Sequence, residues 1–120
     1  MKEIIFRGKQ RNGNWTQGYL ANENTIYDGS ATHKVDKDTV GMFTGFTDVN
    51  GQKIFEGDIL EDTVTSIRYL AKWFDEFAGF YIANESGKIE EEINTDFLLP
   101  YLKIVGNIHD DPDELCTKWF

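Results

Sequence analysis

Cysteine, proline and long apolar runs are all scarce in this sequence. The single cysteine, Cys116, has no partner for a disulfide and no second thiol for a zinc site, which excludes a disulfide-stabilised secreted module. Only two prolines and a 40% share of hydrophobic residues exclude a collagen-like or disordered chain. No apolar run approaches the ~18 residues of a membrane-spanning helix. The sequence therefore predicts one globular domain over residues 1–120.

Basic residues are also few, at 12 Lys and Arg against 21 Asp and Glu, which gives a net charge of −9. The acidic excess lies mainly in residues 61–120, with thirteen acidic and five basic residues. Because non-specific nucleic-acid binding depends on cations that displace condensed counterions, this charge makes nucleic acid an unlikely partner. A local exception is the opening segment, whose Lys2, Arg7, Lys9 and Arg11 are expected to scatter over both faces of a strand.

The start of the chain does not resemble a secretory signal. A signal peptide needs an apolar stretch after its basic residues, but Ile4-Ile5-Phe6 is interrupted at once by Arg7. The expected location is the cytoplasm, with no membrane partner.

Glycine follows Asn, Asp or Ser at four places, Asn12-Gly13, Asp28-Gly29, Asn50-Gly51 and Ser86-Gly87. Such pairs are typical of tight hairpin turns. The segments between them are short and rich in β-branched and aromatic residues, which favours strands over 3–9, 15–20, 39–46, 53–60, 79–84 and 103–109. Alternation assigns Ile4/Phe6, Val40/Met42, Phe55/Ile59, Phe80/Ile82 and Ile104/Ile108 to buried faces. The predicted fold is mainly β, a small antiparallel sheet or partly open barrel.

One or two short helices are predicted in the second half. Residues 63–77 fit both helical and strand spacing, and their many strand formers favour a strand. Ile89, Ile93 and Phe97 recur every fourth residue, which favours a helix ended by Pro100. Asp110-Asp111-Pro112 is typical of a helix start.

Three residues are the candidates for chemistry, Glu56, Asp58 and His109. On one strand, Glu56 and Asp58 would share a face and could hold a divalent cation or divide an acid and base role. The simpler interpretation is a polar bend at Glu56-Gly57-Asp58. A zinc site at His109 lacks ligands, because the second histidine, His33, is distant in sequence. With no nucleophile elbow, phosphate loop or dinucleotide fingerprint, we expect no enzyme activity and no cofactor.

Aromatic residues are abundant, at nine Phe, five Tyr and three Trp. Most are expected in the core. A minority, Tyr19, Tyr69, Tyr81 or Trp119, could form an oligomer or binding patch, because aromatic side chains contribute strongly to interfaces.

Three stretches resemble the YopX family of phage and prophage proteins. Residues 4–9 and 12–18 are similar to its opening I-F-R-G-K and tryptophan-to-glycine hairpin. Residues 39–59, TVGMFTGFTDVNGQKIFEGDI, resemble its central signature, and 104–115 its final strand and helix cap. The resemblance implies a mainly β, phage-encoded accessory protein that self-associates, and it carries no established activity or catalytic residues.

The leading hypothesis is a non-enzymatic cytoplasmic protein that forms a homo-oligomer and binds a host or phage protein. One alternative is that acidic residues such as Glu90, Glu91, Glu92 and Asp96 imitate nucleic acid and occupy a host DNA-binding protein. Others are a metal-dependent hydrolase that uses Glu56, Asp58 and His109, and a single-strand nucleic-acid binder suggested by the architecture alone.

Overall fold

The protein consists almost entirely of β-strands. The structure, a computed structural model, describes residues 4–84, 88–93 and 101–111, and these form eleven strands and one 3-10 turn at Asp75–Phe77. The strands are β1 (Phe6–Lys9), β2 (Trp15–Asn22), β3 (Thr25–Tyr27), β4 (Thr32–Lys34), β5 (Asp36–Thr47), β6 (Lys53–Phe55), β7 (Asp58–Asp62), β8 (Arg68–Phe74), β9 (Gly79–Ala83), β10 (Ile89–Glu92) and β11 (Leu102–Asn107).

The strands form two antiparallel sheets. The first has the order β4-β3-β2-β1-β5-β6 and the second the order β10-β9-β8-β7-β11. Two compact units divide the chain, Met1–Gly45 and Phe46–Phe120, and β5 runs from one into the other. The mainly β, antiparallel prediction is confirmed, since the described residues form two sheets in place of one and no closed barrel. The prediction of a single domain stays a prediction.

Three of the four predicted glycine turns lie where expected. Asn12-Gly13 joins β1 to β2, Asp28-Gly29 joins β3 to β4, and Asn50-Gly51 joins β5 to β6. The three glycines have φ of 90°, 104° and 81°, values that other residues adopt only with strain. Ser86-Gly87 lies outside the described residues.

The predicted strand over 53–60 is wrong in one respect, because the chain turns at Glu56-Gly57. Gly57 has a φ of 94°, which interrupts the extended backbone. As a result β6 belongs to the first sheet and β7 to the second. Sequence patterning also missed β3 and β4, whose three residues each are too few for alternation to show.

The helix prediction is wrong for Ile89–Glu92, which is strand β10 paired with β9. Residues four apart share a strand face as well as a helix face, so the Ile89 and Ile93 spacing was ambiguous. Ile93 is 3% exposed, and its N–H donates to the Phe80 carbonyl. The rest of that predicted helix, toward Phe97, and the helix after Asp111 lie outside the described residues. The strand prediction for residues 63–77 is confirmed for Arg68–Phe74, which is β8, whereas residues 63–67 are not strand and Asp75–Phe77 is the 3-10 turn.

Each unit has its own buried residues. In the first, Ile26, Val35 and Phe43 are at most 6% exposed. In the second, Ile59, Leu70 and Ala83 form a cluster on β7, β8 and β9, against which Phe74, Val105 and Ile108 pack. The predicted inward face of β5 is wrong, because Val40 and Met42 are half-buried while Thr39 and Phe43 are buried. Across the described residues no helix is long and apolar enough to cross a membrane.

Asp48, at the turn after β5, is a buried carboxylate that joins two parts of the second unit. Its Oδ1 accepts the N–H groups of Asn50 and Gln52, each at 2.9 Å, within the β5–β6 turn. Its Oδ2 accepts the N–H of Ile104 on β11, also at 2.9 Å. The side chain is 5% exposed, so these bonds are shielded from water. Asp48 therefore fixes both the shape of the turn and the position of β11 beside it.

We expect Asp48→Ala to lower the free energy of unfolding by roughly 3 kcal/mol, because three main-chain N–H donors lose a charged acceptor. Urea denaturation at pH 7 measures the change. The matched control is Asp62→Ala, since Asp62 accepts the N–H groups of Val64 and Thr65 in an exposed turn. The control should lose less than about 1 kcal/mol. Equal losses in the two variants would contradict the role given to Asp48.

Candidate functional site

Glu56 and Asp58 lie on either side of Gly57, in the turn between β6 and β7, and not on one strand. Asp58 is 1% exposed, and its Oδ2 accepts the N–H of Phe55 at 2.7 Å. This bond closes the turn from within. The main-chain groups of Gly57 bond to residues outside the turn. Its N–H donates to the Ala71 carbonyl, and its carbonyl accepts the N–H of Ile108. The turn is thus held between β8 and the end of β11.

The Glu56 side chain extends away from the turn toward β8, where its Oε2 accepts the N–H of Trp73 at 3.4 Å. Burial raises the pKa of the Glu56 carboxyl above its ordinary value, and the nearby Asp75 adds to the rise. The Trp73 N–H and the charge of Lys72 oppose it. Glu56 is therefore a half-buried acid whose charged form is disfavoured by its surroundings.

His109 contacts the same turn from the other side. A Cβ placed on Gly57 would lie 3.5 Å from His109 Nε2, so the imidazole packs directly over the glycine. The His109 main-chain N–H donates to the Asn107 side-chain oxygen at 3.0 Å, which holds the end of β11. The structure therefore places all three sequence candidates around one turn.

The carboxylates of this turn bind different main-chain groups, on different strands. Asp58 binds Phe55 and Glu56 binds Trp73, so both carboxylates organise the backbone. In the part of the chain that the structure describes, no three His, Cys, Asp or Glu side chains are grouped so as to hold a metal ion. The metal-dependent hydrolase stays a prediction with no support from this geometry.

The acidic run Glu90, Glu91 and Glu92 lies on β10, an edge strand of the second sheet. Because β10 is a strand, with a register irregularity between Ile89 and Glu91, its residues do not follow helical spacing. A continuous charged helical face is therefore absent from β10, and Asp96 lies outside the described residues. The nucleic-acid mimic likewise stays a prediction.

A second candidate is one face of the N-terminal sheet, which we call the outer face. Directly opposed strand residues lie on the same face, and the observed pairs are Arg7 with Gln17, Lys9 with Trp15, Tyr19 with Tyr27, Thr25 with Lys34, and Tyr27 with Thr32. The opposite face carries the buried Ile26. The outer face therefore combines three cations with three large aromatic side chains.

The aromatic residues of the outer face are unusually accessible. Tyr19 is 65% exposed and Tyr27 is 41% exposed, and the two stand opposite each other on β2 and β3. The Arg7 guanidinium lies 4.9 Å from the centre of the Trp15 ring, a cation–π contact. Of the other aromatic candidates, Tyr69 and Tyr81 are half-buried and Trp119 lies outside the described residues.

The cations of the first unit are less scattered than the sequence suggested. Arg7 and Lys9 are two residues apart on β1 and so share the outer face, while Arg11 lies in the turn that follows. Lys34, on β4, lies on the same face, and no feature of the sequence indicated it. Residues 1–45 carry six basic and five acidic residues, and residues 46–120 carry six and sixteen. All the net negative charge therefore belongs to the second unit.

We expect Glu56→Gln to raise the urea midpoint at pH 7, because the amide keeps an acceptor for the Trp73 N–H and removes the buried charge. A carboxyl whose pKa is higher in the folded than in the unfolded protein contributes its full stabilisation only below the unfolded pKa, near 4.5. That contribution is lost as the pH rises through the folded-state pKa. The advantage of the variant should therefore vanish as the pH falls below about 4.

Glu76→Gln is the control, because Glu76 is exposed and the substitution gives the same change of net charge. It should leave the urea midpoint unchanged both at pH 7 and below about pH 4. A Glu56→Gln effect that is independent of pH would contradict the assigned cause.

Comparison with curated proteins finds none that matches. A family model described as YopX protein matches residues 3–116, nearly the whole chain. The match includes both the outer face of the N-terminal sheet and the turn at Glu56-Gly57-Asp58. The chain therefore belongs to the YopX family.

Proposed function

We propose that this protein is a non-enzymatic phage or prophage accessory protein of the bacterial cytoplasm that self-associates through the outer face of its N-terminal sheet. The observation that carries the proposal is the opposed pair Tyr19 and Tyr27, 65% and 41% exposed. Family membership supports the phage origin. The main-chain roles of the Glu56 and Asp58 carboxylates support a non-enzymatic protein.

The side chains of the outer face are those that contribute most to protein interfaces. Tyr, Trp and Arg are enriched among residues whose truncation weakens binding strongly. Here Tyr19 and Tyr27 are directly opposed on neighbouring strands, and Arg7 lies over Trp15 in the same face. A rigid aromatic pair on a paired sheet loses little conformational entropy on binding. The face is thus suited to contact a protein surface.

Charge complementarity favours a second copy of this chain as the occupant. The outer face carries Arg7, Lys9 and Lys34, whereas residues 46–120 have sixteen acidic and six basic residues. Another copy therefore supplies an acidic surface for this cationic one. Contact between different surfaces of two copies builds a ring or an open chain of subunits, rather than a two-fold dimer. A host or phage protein with an acidic surface would be recognised by the same chemistry.

Sedimentation velocity over a concentration series tests the proposal. The wild type should sediment above its monomer mass of 13.8 kDa at tens of micromolar, roughly the regime of weak interfaces. Tyr19→Thr, which keeps a strand-forming residue, should weaken association about tenfold or more. Salt near 1 M, where the Debye length is about 3 Å, should also weaken it.

Leu20→Thr is the matched control, because Leu20 is 36% exposed and is paired with Ile26 on the opposite face of the same sheet. It should associate like the wild type. A wild type that stays monomeric would overturn self-association and leave the outer face to a different protein. Equal weakening by both variants would overturn the assignment to the outer face.

A further inference from the structure

A cleft at one end of the N-terminal sheet gathers cations from three parts of the first unit. It has a volume of about 390 Å³. Its lining comes from the end of β1 and the turn after it, from the β4–β5 corner, and from β5: Lys9, Gln10, Arg11, Lys34, Val35, Asp36 and Thr39. The volume lies within the range of small-ligand sites, toward its lower end. Neither self-association nor the turn at Glu56 accounts for this cleft.

The walls of the cleft are held together by close packing and by main-chain bonds. A Cβ on Gly8 would lie 2.7 Å from Val35 Cγ2, so only glycine allows the β4–β5 corner to approach β1 this closely. The Lys9 N–H donates to Thr39 Oγ1 at 2.8 Å, and that hydroxyl donates to the Asp36 carbonyl at 2.6 Å. Close packing and these bonds therefore fix the main chain that carries the cations before any ligand binds.

The charge of the cleft is opposite to that of the chain. Lys9, Arg11 and Lys34 line it with one carboxylate, that of Asp36, whose Oδ1 accepts the N–H of Asp38 at 3.0 Å. Three of only 12 basic residues thus surround one cavity in a chain of net charge −9. Asp36 stands opposite Lys9 in the β1–β5 ladder, and the lining still has two more cations than carboxylates, an excess that attracts anions. The cleft therefore favours an anionic ligand.

The donor types point to phosphate. A guanidinium presents paired N–H donors that match phosphate oxygens, and two ammonium groups add charge without a fixed direction. Gln10 adds an uncharged amide donor at the same rim. We propose that the cleft formed by Lys9, Arg11 and Lys34 is a phosphate-binding site, which takes either a small phosphorylated ligand or a backbone phosphate of a nucleic-acid strand. The cleft shares Lys9 and Lys34 with the outer face, whereas Arg11 belongs to the cleft alone, so an Arg11 variant separates phosphate binding from self-association.

NMR titration of the ¹⁵N-labelled chain tests the site, with pyrophosphate and a short oligothymidylate as separate probes. Pyrophosphate should bind with a dissociation constant of roughly 1 mM or tighter and shift the amide signals of residues 9–11 and 34–39. Binding of pyrophosphate alone assigns a small phosphorylated ligand. If the oligonucleotide binds more tightly, with an affinity that falls as salt rises, a nucleic-acid strand is the source. Binding of neither probe below about 10 mM overturns the proposal.

Two substitutions in the cleft should change the affinity for pyrophosphate in opposite directions. Arg11→Gln should weaken pyrophosphate binding about tenfold and leave self-association unchanged. Asp36→Asn keeps the acceptor for the Asp38 N–H and removes the one carboxylate of the lining, so it should strengthen binding about threefold.

Lys37→Gln is the control, because Lys37 is exposed on β5, does not line the cleft and gives the same change of net charge as Arg11→Gln. It should change the affinity less than twofold, within ordinary screening of distant charges. Equal effects of Lys37→Gln and Arg11→Gln would show attraction by net charge alone and would overturn the site.

Discussion

The carboxylate of Asp48 is the interaction on which the second unit depends most. It accepts two N–H groups from the β5–β6 turn and one from β11, and the Val49 N–H adds a bond to the Leu102 carbonyl beside it. A buried carboxylate with three main-chain donors satisfies groups that no sheet ladder could reach. One side chain therefore fixes the shape of the β5–β6 turn and the position of β11 beside it.

Asp58, ten residues later, is likewise a buried carboxylate that accepts a main-chain N–H. It lies at the turn where the chain passes from one sheet to the other. Its bond to the Phe55 N–H and the positive φ of Gly57 make the change of direction possible. The Glu56 carboxylate bonds from that turn to β8, and His109 packs over Gly57. Residues of types that often perform chemistry are here used to satisfy and cover main chain. The sequence favoured a polar bend over a metal site at Glu56-Gly57-Asp58, and the chain does turn there.

In the first unit, a surface rich in cations belongs to a chain whose net charge is negative. An acidic chain presents cations there because the acidic residues are concentrated after residue 45. The pairing of β1 with β2, of β2 with β3 and of β3 with β4 brings Arg7, Lys9 and Lys34 to one face with Tyr19 and Tyr27. The net charge of the whole chain therefore says little about what this face binds, since screened electrostatics act over about 10 Å.

Local chemistry in the sequence determined the strand class, three glycine turns and the strand at β8, because turn residues and β-branched runs act through neighbours along the chain. Alternation could not distinguish a helix from a strand at Ile89 and Ile93, nor reveal that 53–60 divides between two sheets. Of the candidate surfaces, the sequence indicated Tyr19, Arg7, Lys9 and Arg11 but gave no sign of Lys34 or Asp48. Both are brought together with residues far along the chain, Lys34 with Lys9 in the lining of the cleft and Asp48 with Ile104. Only tertiary structure decides such pairs, because they depend on strand register and on the close approach that Gly8 allows.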